Sequence, residues 1–148
     1  QVERAAAMRD AVLETLAVSG DALISAAAIS DFTVDAADEK IKSGEERTLT
    51  LEPAPKLIDT VRETYPELPI VGFKAETAGG DEELVSEARR IMDRVGLSFV
   101  VANDASVMGS EETQALLVRG EGYAEFTGSK AELGAWVAEE LAEVLKDG

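Results

Sequence analysis

Lys40 and Lys42 sit two residues apart on a loop that ends in Ser43-Gly44, in a chain that is otherwise acidic. A lysine on a mobile loop can neutralise a phosphate as a flexible point charge. Upstream, Ala22, Leu23 and Ile24 lead into Ser25-Ala-Ala-Ala-Ile-Ser-Asp-Phe32, small residues followed by an acid and an aromatic. Small side chains at the carboxyl end of a parallel strand let a ligand approach the backbone, and open α/β sheets bind ligands at that edge. Two more apolar runs end in polar residues: Ile70-Val-Gly-Phe73 continues into Lys74-Ala-Glu-Thr77, and Leu97-Ser-Phe-Val-Val-Ala102 into Asn103-Asp104. If the three strands are parallel, these ends share one edge. Phe73 could then stack on a base, Asp31 could hold a ribose or a magnesium ion, and the lysines could close over phosphates. Plainer readings stand beside these: Phe73 as core, Asp104 as a turn cap, the lysines as solvated surface. Neither GxGxxG nor GxxxxGK[ST] occurs, so the usual glycine-rich phosphate cradles are absent.

The elements that would position these residues follow from hydrophobic period. Ala5, Met8, Val12, Leu13 and Leu16 predict an amphipathic helix over Arg4 to Ala17, stopped by Ser19-Gly20. Asp21 to Ala28 reads as a buried strand, and Asp31 to Glu46 as a long loop or flap. Arg47 to Glu52 alternates as a half-exposed strand ended by Pro53 and Pro55, and Lys56 to Thr64 as a helix. After the Ile70–Phe73 strand, Asp81 is the expected N-cap of a helix closed by Gly96. Gln114–Val118 and Gly122–Phe126 pair as a hairpin, and Ser129 caps a helix running to about Leu145. This order predicts one α/β domain over residues 1–148: a Rossmann-like, doubly wound, mostly parallel sheet with an antiparallel edge hairpin.

Composition narrows the chemistry. The chain has 148 residues with neither cysteine nor histidine, which excludes disulfides, thiolate nucleophiles, serine–histidine triads and histidine-ligated metals. Any metal is a hard cation on oxygen ligands, such as magnesium. Thirty acidic against 14 basic residues give a net charge of -16, a field that repels nucleic acid and anionic membranes. No apolar run reaches membrane-span length and no signal segment opens the chain, so a cytoplasmic protein is expected.

Four ordered motifs resemble phosphopantothenoylcysteine synthetase, the coenzyme A pathway ligase often fused to a flavin-dependent decarboxylase. They are Ser25–Phe32, Glu39-Lys-Ile-Lys42, Val71-Gly-Phe-Lys-Ala-Glu-Thr77 and Val101-Ala-Asn-Asp104. The resemblance implies that 4′-phosphopantothenate is joined to cysteine after activation by CTP or ATP, with magnesium, through an acyl-nucleotide. It implies a nucleotide pocket of Ala27, Ala28, Asp31, Phe32, Pro53, Ala54, Pro55 and Phe73, with Asp31 also at the metal. Lys40 and Lys42 take the catalytic role, Asn103 a substrate contact, and the assembly is a homodimer joined near the flap. The chain departs from the family in three ways. The family's amino-terminal glycine-rich portion has no counterpart, which suggests a fragment. Its third loop lysine is Ser43, and lysines of bacterial members fall on Ile91 and Val95, where neighbouring Arg90 and Arg94 would substitute. A non-catalytic dimerisation or nucleotide-binding module is the alternative; a dinucleotide oxidoreductase lacks its glycine fingerprint.

The acid is spread along the chain, which suits a halophilic source where salt screens self-repulsion. The melting temperature is therefore expected to rise strongly with salt, and a flat response would oppose that origin.

Overall fold

The computed structural model of the chain describes residues 4–34, 44, 48–54, 56–76, 80–104 and 112–147. Four helices, α1 (Ala5–Val18), α2 (Leu57–Thr64), α3 (Asp81–Val95) and α4 (Lys130–Asp147), pack around one principal sheet. Its strands are β1 (Leu23–Ser25), β4 (Ile70–Glu76), β5 (Phe99–Asp104), β6 (Thr113–Val118) and β7 (Tyr123–Gly128), in the order β1-β4-β5-β6-β7. A separate two-stranded ribbon joins β2 (Phe32–Thr33) to β3 (Glu52–Pro53). Strands β1, β4 and β5 run parallel; β6 runs against β5, and β7 against β6. Among the five, only β6 points the other way. The expected doubly wound sheet with an edge hairpin is present.

The two faces of the sheet follow from alternation along its strands. Ile70, Val100, Ala102, Leu116 and Val118 face one way, where Leu57 and Val61 of α2 and Leu84, Val85, Ala88, Met92 and Val95 of α3 cover them. Met8, Val12, Leu13 and Leu16 of α1 complete that layer. Val71, Phe99, Val101, Ala115 and Leu117 face the other way, onto Val137 and Leu141 of α4. Strands covered on both faces need apolar residues at successive positions, which is why β5 and β6 read as continuous runs. Trp136 of α4 lies stacked on Phe126 with centroids 5.4 Å apart.

Several element limits differ from the local reading, each for a non-local reason. The first strand is three residues long, because only Leu23–Ser25 find partners in Ile70–Gly72 of β4. It is the edge of the sheet rather than a buried strand, and Ile24 is 44% exposed. Among the described residues of the Arg47–Glu52 segment only Glu52 is strand, and Pro53 continues it instead of ending it. Its partner Phe32 lies far back in the chain, and proline is tolerated on such a ribbon edge. Gly80, at φ 144°, is the N-cap of α3, so Asp81 is its first helical residue. Gly96 does close α3, in the left-handed conformation that favours glycine. The third strand starts two residues late, at Phe99, and runs on to Asp104.

Ser129 caps α4 as expected. Its hydroxyl accepts the Glu132 amide at 3.3 Å while Glu132 accepts the Ser129 N–H at 2.8 Å, a reciprocal capping box. The Ser129 backbone and side-chain hydrogen bonds hold the Glu132 carboxyl below its ordinary range. A lowered folded-state value stabilises at neutral pH, and the contribution is lost as pH falls through that value.

Arg62 ties α2 to α3. Its Nε donates to the Val95 carbonyl at 3.0 Å and its Nη2 to the Gly96 carbonyl at 2.8 Å. Its Nη1 donates to Tyr65 O at 3.3 Å and to Pro66 O. A cation here satisfies the end carbonyls of both helices. Arg62→Met should cost about 2 to 4 kcal/mol, because those carbonyls lose a charged partner. The expected result is a lower urea midpoint at unchanged slope; an unchanged midpoint would mean that water replaces the guanidinium.

Candidate functional site

A cavity of about 390 Å³ opens beyond the end of β1 and beside the middle of β4, between α2 and α3. Its strand side is Ser25, Ala27, Ile29, Ser30, Asp31, Phe73 and Lys74. Its helix side is Lys56, Leu57, Ile58 and Asp59 from the start of α2, and Arg90, Ile91 and Arg94 from α3, with Ala54 between. The loop after β1 is held by local bonds: Ser30 Oγ donates to Phe32 O at 2.7 Å, and the Ala54 N–H donates to Asp31 O at 2.9 Å. The second bond fastens the β1 loop to the segment that enters α2. Short side chains there leave the backbone open to a ligand.

The charge of this cavity opposes that of the chain. Lys56, Lys74, Arg90 and Arg94 line it against Asp31 and Asp59. Four of the chain's 14 basic residues therefore face one concave surface. Arg94 Nη1 donates to both Asp59 oxygens, each at 2.9 Å, joining the two helix walls. Arg90 donates to Glu87 Oε2 from Nη2 at 2.8 Å, and this bond holds the Glu87 carboxyl below its usual range. Apolar Leu57, Ile58 and Ile91 line the same walls. The arrangement suits an anionic ligand with a flat apolar part.

A second cavity, of about 230 Å³, lies at the end of β5. Asp81 and Leu84 of α3 form one wall, Ala102, Asn103, Gln114, Ala115 and Leu116 the floor, and Glu125, Phe126 and Thr127 of β7 the other wall.

Of the residues singled out from sequence, Ala27, Asp31, Ala54, Phe73, Arg90 and Arg94 meet in the larger cavity. Asn103 faces the smaller one. Ala28, Phe32 and Pro53 are exposed and not among the lining residues; Phe32 and Pro53 pair across the ribbon instead. Lys40, Lys42 and Pro55 lie outside the described residues. Sequence reasoning missed Lys56, Lys74 and Asp59. Lys74 follows Phe73 inside β4, which runs past the expected end at Phe73 to Glu76; Lys56 and Asp59 become wall residues only because α2 packs beside α3. For magnesium, no group of three or more acidic side chains gathers among the described residues, so Asp31 would be one ligand beside phosphates and water. No helix among the described residues is long and apolar enough to cross a membrane.

Sheet order and strand direction define a Rossmann-like α/β domain. Residues 1–145 match the DNA/pantothenate metabolism flavoprotein C-terminal domain, and the chain belongs to that family. It is 47% identical over 128 residues to the coenzyme A biosynthesis bifunctional protein CoaBC of Thermococcus kodakarensis, covering 86% of this chain and 30% of that protein. The CoaBC protein of Methanocaldococcus jannaschii is 33% identical over 133 residues, covering 88% of this chain and 33% of its own. The chain thus spans about a third of the length of these relatives. The crystal structure of the DNA/pantothenate metabolism flavoprotein from Streptococcus pneumoniae superposes with a TM-score of 0.82 at 21% identity, covering 97% of this chain and 71% of that one. A Cab2 mutant in complex with phosphopantothenate-cysteine gives a TM-score of 0.56 at 25% identity, covering 78% and 44%.

Proposed function

We propose that this chain supplies the nucleotide pocket of a coenzyme A biosynthesis ligase that joins 4′-phosphopantothenate to cysteine through an acyl-nucleotide. The observation that carries the reading is the larger cavity, which concentrates cations beside Phe73 in an acidic chain. The CoaBC relatives and the Cab2 complex with phosphopantothenate-cysteine support the pathway and the product class.

In this reading the carboxylate of phosphopantothenate attacks the α-phosphorus of CTP or ATP and expels pyrophosphate. The amine of cysteine then attacks the acyl carbon, and the nucleoside monophosphate leaves as the amide forms. Phe73 packs on the base, and Ala27 and Ala54 leave room beside it. Asp31 contacts the ribose or contributes one oxygen to magnesium, which supplies charge neutralisation at the phosphates when bound. Lys56, Lys74, Arg90 and Arg94 face the polyphosphate, where negative charge moves outward as pyrophosphate departs. Fixed cations lower that barrier most when water is excluded. Lys40 and Lys42 add positive charge at the phosphates in this reading.

A homodimer is part of the proposal. Leu49 (64% exposed), Leu51 (59%) and Phe32 (54%) place large apolar side chains in solvent around the ribbon. A second copy covering them would remove that cost. Sedimentation equilibrium should give twice the chain mass, and a dimer that persists in Leu51→Asp would move the interface elsewhere.

Calorimetric titration of CTP and of ATP, with magnesium and high salt, tests the pocket. One nucleotide should bind, and Phe73→Ala should weaken it roughly tenfold, as loss of one base–aromatic stack does. Failure of both nucleotides to bind would favour the non-catalytic reading. In the ligase reaction, pyrophosphate release unchanged by Lys40→Gln would remove Lys40 from the mechanism.

A further inference from the structure

We infer that Asp59 is a positioning residue for phosphate recognition: it clamps Arg94 by one nitrogen, so that the remaining edge of the guanidinium takes two oxygens of one phosphate group. The inference rests on the nucleotide reading of the larger cavity for the identity of the ligand.

A carboxylate on the wall of a phosphate pocket needs a reason. Asp59 lines the larger cavity with Lys56, Lys74, Arg90 and Arg94. By its charge alone it repels a polyphosphate, and replacing it should tighten binding. Its hydrogen bonds point the other way. Both Asp59 oxygens accept from a single nitrogen, Nη1 of Arg94, each at 2.9 Å. Among the described residues, Nε and Nη2 of Arg94 donate to no other group. Those two nitrogens form one flat edge of the guanidinium, and paired N–H groups of this kind match two oxygens of a phosphate. Because the group is rigid and planar, holding one nitrogen limits where that edge can turn.

The other arginine on this wall has its edge occupied. Arg90, one turn away on α3, donates from Nε at 3.1 Å and from Nη2 at 2.8 Å, both to Glu87 Oε2 on the same helix. Arg94 is held instead by an acid 35 residues away, on the facing helix. Arg90 therefore lends the cavity its charge, and Arg94 lends it the fork.

Stability alone does not account for the Asp59–Arg94 pair. The two side chains are 35% and 43% exposed, and ion pairs open to water add little to a fold. Arg62 already ties α2 to α3 through carbonyls at the ends of both helices. What Asp59 adds is order in one long side chain before the ligand arrives, which lowers the cost of immobilising it on binding.

The test is calorimetric titration of the chain with inorganic triphosphate, and with CTP and ATP, at one salt concentration. Asp59→Asn should weaken binding about tenfold, the cost of ordering one freed side chain. In an Arg94→Ala background the same substitution should no longer weaken binding and should instead tighten it, since only the repulsion is then removed. Arg94→Lys, which keeps the charge and loses the fork, should weaken binding as well. Unchanged or tighter binding by Asp59→Asn alone, an equal loss in the Arg94→Ala background, or full affinity in Arg94→Lys each overturns the inference. Triphosphate binding that depends on Asp59, with neither nucleotide bound, supports the inference and sinks the nucleotide reading. Nucleotide binding that depends on Phe73 and not on Asp59 does the reverse, and a chain that binds none of the three overturns both.

Discussion

One guanidinium sets the spacing on which the larger cavity depends. α2 and α3 finish side by side, each with end carbonyls lacking helical partners and each presenting the negative end of its dipole. Arg62 stands between them and donates to Tyr65 and Pro66 at one end, and to Val95 and Gly96 at the other. An eight-residue helix such as α2 has little stability of its own, so its position must come from tertiary bonds. Farther along, Arg94 and Asp59 join the same two helices again, this time on the cavity wall. Two arginines thus hold the walls apart at two heights. The first is structural, and the second is both structural and part of the lining.

The acidic surface sets the cavity apart by charge. A chain of net charge -16 repels a polyphosphate from most directions. Four cations on one concave surface make a local reversal of that field, with low-dielectric walls of Leu57, Ile58 and Ile91 to strengthen it. Two of the four are also held by acid, Arg94 by Asp59 and Arg90 by Glu87, whose charge also acts on Lys74. Side chains held this way lose less freedom when a ligand arrives, which leaves more of the interaction available for binding.

Much of this was legible in the chain itself because the relevant rules are local. The three- and four-residue recurrence of Leu84, Val85, Ala88, Met92 and Val95 marks α3, and the residue after each parallel strand marks the ligand edge. Ala27 and Asp31, beyond the end of β1, follow that rule, and they meet Phe73 of β4 in one cavity. What escaped depends on partners distant in sequence. Ala27 and Ala28 look like strand, yet β1 stops at Ser25 because its pairing with β4 stops at Gly72. Pro53 looks like a terminator, yet Phe32 makes it a strand residue. Lys56 and Asp59 carry no motif and gain meaning only from the packing of α2 on α3.

The β4–β5 ladder is where fold and chemistry meet. Its register places Lys74 against Ala102 and Ala75 against Asn103, so one strand pair borders both cavities. Phe99, Val100, Val101 and Ala102 are almost fully buried, and Val71 on β4 is too, so this pair cannot slide without turning core residues toward solvent. A one-residue slip would exchange the two faces of β5, carrying Ala102 from the floor of the smaller cavity to the α4 side. The hydrophobic core therefore does more than hold the sheet together. By fixing this register it fixes how the cationic cavity beside β4 sits relative to the cavity at the end of β5.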